Sequence, residues 1–172
     1  MNTKEIQNRN SYLSFSLYKE TFAMNVVNVL EVLEKQSITQ VPDTPEYIVG
    51  VVNFRGEILP VLETRLKFKM PHREEENYVI IVLELNTNGK KQLIGAIVDS
   101  VVDVIEISDN HIKEVPEMGS NYNSEYLKGM LKSEKGFTMI LNIHKVFSQH
   151  ESEIISNTIK TTNNISNSDR EE

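Results

Sequence analysis

One segment restricts the fold more than any other. Val51-Val52-Asn53-Phe54 and Glu57-Ile58-Leu59-Pro60-Val61-Leu62 are apolar, β-branched runs joined only by Arg55-Gly56. A two-residue link ending in glycine reverses a pair of antiparallel strands and is too short for any helical connection. A β-hairpin is therefore expected here. The remaining apolar runs resemble these two, being short, rich in valine, isoleucine and aromatics, and bounded by turn residues. Tyr12 to Tyr18, a turn at Lys19-Glu20, and Phe22 to Val32 read as a hairpin and a following strand. Tyr78 to Leu85 and Gln92 to Asp99 form another hairpin across the loop Asn86-Thr87-Asn88-Gly89-Lys90-Lys91, the second strand being buried on both faces. Val101 to Ile107, Tyr126 to Leu131 and Phe137 to Ile143 complete the strands, with Gly136 in the last turn.

Smaller features are set by residue chemistry. Pro45 suits the first position of a helical turn over Glu46 to Val49, which Gly50 would end. Pro60 has no N–H to give a ladder, so its amide edge is expected to face outward, at a sheet rim or barrel seam. Ser108 is a candidate side-chain cap for a turn through His111, and Asn142 to Ser148 reads as a short amphipathic helix. The charged loop His72 to Asn77, with its run Arg73-Glu74-Glu75-Glu76, is the best internal boundary and the simplest place for a solvated surface.

These elements predict a mainly β protein with a few short helices. At 172 residues the chain fits one compact unit or two small intertwined subdomains. No repeat with a period of about 20 to 50 residues is evident, although two strand-rich halves follow one another around the charged loop. A pair of small barrels suits them, because closure removes the exposed edges of a sheet. The fold is expected over 12–148, preceded by an arm, 1–11, and followed by a polar, mobile tail, 149–172.

Function is narrowed mainly by exclusion. With 25 acidic residues against 18 basic ones, a net charge of −7 opposes binding to the phosphates of nucleic acid. Zero cysteine excludes disulfides, thiolate metal sites and cysteine nucleophiles. Met1 to Asn10 is polar and lacks the apolar core of a secretory leader, and no apolar run approaches the roughly 20 residues of a membrane span, so a cytoplasmic protein without membrane insertion is expected. His72, His111, His144 and His150 show no metal-ligand spacing, and the glycines form no phosphate cradle. No nucleophile elbow is present, so no enzyme activity, metal or cofactor is expected. What remains is Arg55, a planar cation presented on a hairpin tip. It can pair bidentately with a partner carboxylate, or bridge locally to Glu57 or Glu63.

The run Val49-Gly50-Val51-Val52-Asn53-Phe54-Arg55-Gly56-Glu57-Ile58-Leu59-Pro60-Val61 resembles the signature of the CheW-like chemotaxis coupling proteins. Further elements match in order: Val29-Leu30-Glu31 within the early strands, Thr44-Pro45 to Gly50, Leu93 to Val104, and Glu125-Tyr126-Leu127-Lys128-Gly129. Glu63-Thr64-Arg65 stands where the family often has Asp-Leu-Arg, and its late proline-rich stretch is here only Val115-Pro116-Glu117-Met118-Gly119. The resemblance implies two five-stranded β-barrels packed together and a cytoplasmic, non-catalytic adaptor without cofactors. It implies chemoreceptors and the histidine kinase CheA as partners, with the receptor's helical hairpin tip docking in a groove between the barrels. The positions matching the family's receptor-binding residues are Val29, Glu31, Gly50, Arg55, Gly95, Val101, Val104 and Gly129. Alternative occupants of such a barrel are a non-chemotactic kinase complex or single-stranded nucleic acid, though the acidic chain lacks the basic groove that the latter needs.

Overall fold

In the computed structural model of the protein, residues 9–74, 76–116 and 124–147 are described, together with Asn157, Lys160 and Asn164, which are helical. Residues 1–8 of the expected arm and the rest of the expected tail lie outside the described residues, as does part of the Val115 to Gly119 stretch, whereas residues 9–11, expected in the arm, already belong to the first strand.

The central hairpin forms as expected. Strands β4 (Ile48–Phe54) and β5 (Glu57–Glu63) pair antiparallel with Phe54 opposite Glu57. Arg55 and Gly56 both take positive φ, 53° and 82°, the pattern of a type I′ turn whose twist matches that of the strands. The Asn53 side chain accepts the Gly56 N–H at 2.9 Å and fixes the turn. Further strands are β1 (Arg9–Leu17), β2 (Glu20–Asn25), β3 (Val29–Glu34), β6 (Val79–Thr87), β7 (Lys90–Val98), β8 (Ser100–Ser108), β9 (Leu127–Ser133) and β10 (Gly136–Leu141). Asn88 and Gly89 make a second turn of the same kind between β6 and β7. Two one-turn helices, α1 (Thr64–Lys67) and α2 (Ile143–Val146), follow β5 and β10.

The chain divides into two units. Among the described residues, unit 1 holds those up to Val29 and Asp99–Val146, and unit 2 holds Leu30–Val98 together with Phe147. The boundary is thus not the loop 72–77, which lies within unit 2. Each unit has one five-stranded sheet, in the order β8-β1-β2-β10-β9 for unit 1 and β3-β6-β7-β5-β4 for unit 2. In both, two antiparallel hairpins meet along one parallel pair, β2 with β10 and β7 with β5. Each core is local. Val52, Phe54, Leu59, Val61, Ile80, Val82 and Ile97 cluster in unit 2, and Tyr12, Ala23, Ile107 and Ile140 in unit 1.

The expected barrels are sheets whose opposite edges meet at a single residue pair. Past β3 the chain bridges back to β4 at Thr39 and Val51, and past β8 it bridges to β9 at Lys113 and Met130. Each bridge has two N–H···O bonds of 2.8 to 2.9 Å. A glycine precedes each bridged strand residue for lack of space. A Cβ on Gly50 would lie 2.2 Å from the Thr39 carbonyl oxygen, and one on Gly129 would lie 2.6 Å from that of Lys113. Gly50 also has φ +147°, and the β4–β5 register shifts beside it. It is therefore a bulge inside β4 rather than the end of a helical turn. What precedes it is a tight turn closed by the Ile48 N–H on the Pro45 carbonyl at 2.9 Å.

These coincidences mark an internal duplication. Val29-Leu30-Glu31-Val32-Leu33-Glu34, Ile38-Thr39-Gln40-Val41-Pro42 and Glu46-Tyr47-Ile48-Val49-Gly50 are echoed by Val101-Val102-Asp103-Val104-Ile105-Glu106, Ile112-Lys113-Glu114-Val115-Pro116 and Glu125-Tyr126-Leu127-Lys128-Gly129. The equivalent bonds follow. Glu63 N–H donates to the Tyr47 carbonyl and Asn142 N–H to that of Tyr126, both at 2.8 Å. In the two sheets β3, β4, β5, β6 and β7 take the places of β8, β9, β10, β1 and β2. The first copy runs in chain order, while the second is closed by the N-terminal hairpin. That permutation hides the repeat from a search at fixed period.

Two further expectations are corrected. Pro60 is buried in an interior strand. Its partner Val51 directs its own N–H and carbonyl at Thr39, so Pro60 and Val51 form a non-hydrogen-bonded pair and the proline nitrogen points away from β4. Pairing of β5 with β7 begins one residue later, at Val61, so no ladder bond is lost. Ser108 precedes a short 3₁₀ turn, Asp109–His111, but makes no side-chain cap bond.

At the end of α1, half-buried Lys67 lies 4.7 Å from the centre of the Tyr47 ring, and burial lowers its pKa from 10.5 to about 8. From pH 8 to about 10 the unfolded chain therefore holds a proton that the folded protein has shed, and stability should rise with pH across that window and be level below it. Lys67→Met should abolish the rise. Urea titrations at about pH 7, 8 and 10 check this, and a wild type whose stability stays level or falls over that range contradicts it.

Candidate functional site

Arg55 sits at the tip of the β4–β5 hairpin with its side chain 70% exposed. It is nonetheless held. One Nη donates to Glu31 Oε2 at 2.7 Å, and the guanidinium lies 4.9 Å from the centre of the Phe54 ring. Glu31 comes from β3, so the partner of Arg55 is neither Glu57 nor Glu63, the local acids that the sequence offered. The ring of Phe54, itself in the core, supplies a fixed platform for the planar cation. An exposed pair of this kind adds little to stability, of order 1 kcal/mol or less. Its effect is to fix where a charged fork points, with hydrogen-bonding capacity left over for a partner.

β3 alternates half-buried and exposed residues, so Val29 and Glu31 share one side while Leu30 and Val32, 46% and 40% exposed, share the other. β8 is more open. Val101 is half-buried, and Val102 and Val104 are 60% and 56% exposed.

The three glycines among the predicted site residues have steric reasons of their own. Gly50 and Gly129 make room for the bridges at Thr39 and Lys113. Gly95 is buried in β7, where a Cβ would lie 2.8 Å from Ile80 Cγ2 and 3.3 Å from Leu59 Cδ2. Of the eight predicted positions, the structure brings Glu31 and Arg55 into direct contact in unit 2. It places Val101 and Val104 together on β8 in unit 1.

Arg73 was not legible as a structural residue. It lies in the charged loop, yet its side chain is only 9% exposed and its Nε and one Nη donate to the two oxygens of Glu63, each at 3.1 Å. Glu63 also accepts the Arg65 N–H at 3.2 Å and so caps α1. Glu63 thus fills the capping role at the family's acidic position, and its ion pair ties the loop back onto β5. The Tyr78 ring lies beside Arg73 at 5.8 Å, and burial foremost, with the Glu63 charge, pushes its hydroxyl pKa up. The signal in sequence was a lone arginine before three acids, which pattern alone reads as solvated. Among the described residues no cluster of His, Cys, Asp or Glu could hold a metal ion, and no helix is long and apolar enough to cross a membrane.

The CheW-like domain family matches residues 11–151. The chain is 30% identical over 151 residues to a chemotaxis protein CheW of Klebsiella aerogenes, covering 87% of this chain and 89% of that one. It is 31% identical to the chemotaxis protein CheW of Helicobacter pylori, covering 78% and 79%. Among solved structures, the scaffolding protein TtCheW of Thermoanaerobacter tengcongensis superposes with a TM-score of 0.71 at 31% identity, covering 83% of this chain and 90% of that one. The chain belongs to the CheW-like domain family, whose members are adaptors of chemotaxis signalling and not enzymes.

Proposed function

We propose that the chain couples chemoreceptors to the histidine kinase CheA in the cytoplasm, as a non-catalytic adaptor recruited to receptor arrays at the inner face of the membrane. The observation that carries this reading is the geometry of Arg55, which sits on a type I′ tip, stacked on Phe54 and paired with Glu31, inside a family match that spans most of the chain. A pre-oriented guanidinium loses little side-chain entropy on binding and selects a partner carboxylate by direction. Val29, Val101 and Val104 supply apolar contact for an amphipathic helix of a receptor, while Gly50 and Gly129 act by letting backbones approach closely and Gly95 by leaving room for the packed side chains of Ile80 and Leu59. The adaptor works by mass action, raising the local concentration of kinase beside receptor and biasing the kinase between its states.

The test is CheA autophosphorylation in receptor-containing membranes with and without the chain, alongside co-sedimentation of all three. Activation and ternary sedimentation that depend on the chain are expected; binding to neither partner contradicts the reading. Arg55→Glu should weaken receptor binding about tenfold or more while changing stability by less than about 1 kcal/mol, because the side chain is mostly in water. A variant that unfolds instead returns Arg55 to a structural role.

A further inference from the structure

The turn between β6 and β7 is built from the one Asn-Gly step in the chain, Asn88-Gly89. Both residues take positive φ, 52° and 77°, as a two-residue type I′ turn requires. Asparagine enters that region at little cost and glycine at none, which is why the pair suits the turn. The same two choices leave the turn chemically open. A side-chain amide stands next to a main-chain nitrogen whose own residue has no Cβ to shield it.

Tertiary structure adds no protection. Asn88, Gly89 and Lys90 are all exposed, and a Cβ built on Gly89 would meet nothing within 4 Å. Among the described residues no hydrogen-bond partner holds the Asn88 amide. Asparagines elsewhere are guarded. The side-chain oxygen of Asn53 accepts the Gly56 N–H, that of Asn25 the Val27 N–H and that of Asn142 the Lys145 N–H. Asn25, Asn28, Asn86 and Asn142 are followed by valine, threonine or isoleucine, whose branched Cβ crowds its own main-chain nitrogen.

We propose that Asn88-Gly89 is a site of spontaneous covalent modification in the folded protein, where water converts the Asn88 amide into aspartate and isoaspartate through a cyclic imide. Hydroxide takes the Gly89 amide proton, and the nitrogen bonds to Asn88 Cγ. The Cγ–Nδ2 bond then breaks and, with a proton from water, that nitrogen leaves as ammonia. Water opens the ring. Cleavage at Cγ restores the main chain and leaves aspartate, whereas cleavage at the main-chain carbonyl carbon leaves isoaspartate, whose chain runs on through Cβ and Cγ. In sum one amide and one water become a carboxylate and ammonium, with nothing oxidised or reduced. Either product sets a negative charge beside Lys90 and Lys91. Isoaspartate also adds a main-chain carbon to a loop whose two-residue length fixes the pairing of Thr87 with Lys90. The reaction is independent of the coupling reading.

The test holds the full chain at mildly alkaline pH, once folded and once in enough urea to unfold it. Isoaspartate is read over time by enzymatic methylation, and the site by the mass of the peptide that spans residue 88. Residue 88 should convert before any other asparagine of the folded chain. A hairpin tip frays at little cost, so its rate in the folded chain should lie within about tenfold of that in urea. Asn88→Gly keeps a turn of the same type and removes the amide, and the folded-state signal should be lost. Should residue 88 convert more than about tenfold more slowly when folded, the turn protects the amide and the inference is wrong. A signal that persists in folded Asn88→Gly, or another asparagine that converts first, overturns it as well.

Discussion

Gly50→Ala is expected to destabilise the fold by about 3–5 kcal/mol, near the upper end for a single substitution. Two costs combine at this position. The backbone has φ +147°, which residues with a Cβ rarely adopt, and the new methyl would lie 2.2 Å from the Thr39 carbonyl oxygen and 2.7 Å from Ile38 Cγ2. The Thr39 carbonyl is backbone, and it accepts the Val51 N–H that closes the sheet of unit 2. Relief of the clash therefore means loss of the bridge. Gly129→Ala tests the second copy of the same device. Its Cβ would crowd Ile112 Cγ2 at 2.3 Å and the Lys113 carbonyl at 2.6 Å, without a positive φ, and about 2–3 kcal/mol is expected because the isoleucine can turn aside. Gly89→Ala is the control, with φ +77° and nothing within 4 Å, and should cost only the conformational term of about 1–2 kcal/mol. Urea unfolding with unchanged slope measures all three. If Gly50→Ala is no worse than Gly89→Ala, bridge closure is not what holds the edge strands of unit 2 together.

Arg73→Met is expected to cost about 3–5 kcal/mol, because it leaves the Glu63 carboxylate buried without its counter-ion. Both side chains are about nine-tenths buried, at 9% and 10% exposure, and the bond is bidentate. Coulomb attraction is far less screened there than for the Arg55–Glu31 pair at the hairpin tip. The double variant Glu63→Gln with Arg73→Met should recover a large part of the loss, since no unpaired charge remains and the glutamine oxygen can still cap α1 at Arg65. Thermal and urea unfolding of the two singles and the double give the coupling energy directly. A coupling below about 1 kcal/mol would reduce the contact to a surface-like pair and leave the loop fastened by other means.

Strand identity was legible because the signals are local. Short β-branched runs, two turns ending in glycine and the missing helical period determine hairpins wherever the chain then goes. The hairpin that carries Arg55 was legible for the same reason, and so were α2 after Asn142 and the buried character of Ile94 to Val98. Ordering of the strands was not legible, because β1 and β2 close a sheet with β8, β9 and β10 only after the whole of unit 2 has intervened. The same separation concealed the duplication, whose copies share residues at spaced positions rather than in a continuous run.

Composition, hairpin chemistry and the family motif, all properties of neighbours in the chain, determined a β-rich adaptor with an arginine on display. Tertiary structure alone decided which acid meets that arginine, Glu31 rather than Glu57 or Glu63, since the answer depends on which strand crosses the hairpin tip. It also decided that Arg73 is interior and Asp103 exterior, although both look like surface charges in sequence. Burial and ion pairing are set by groups brought together from distant parts of the chain, and no local pattern of charge encodes which of them will meet.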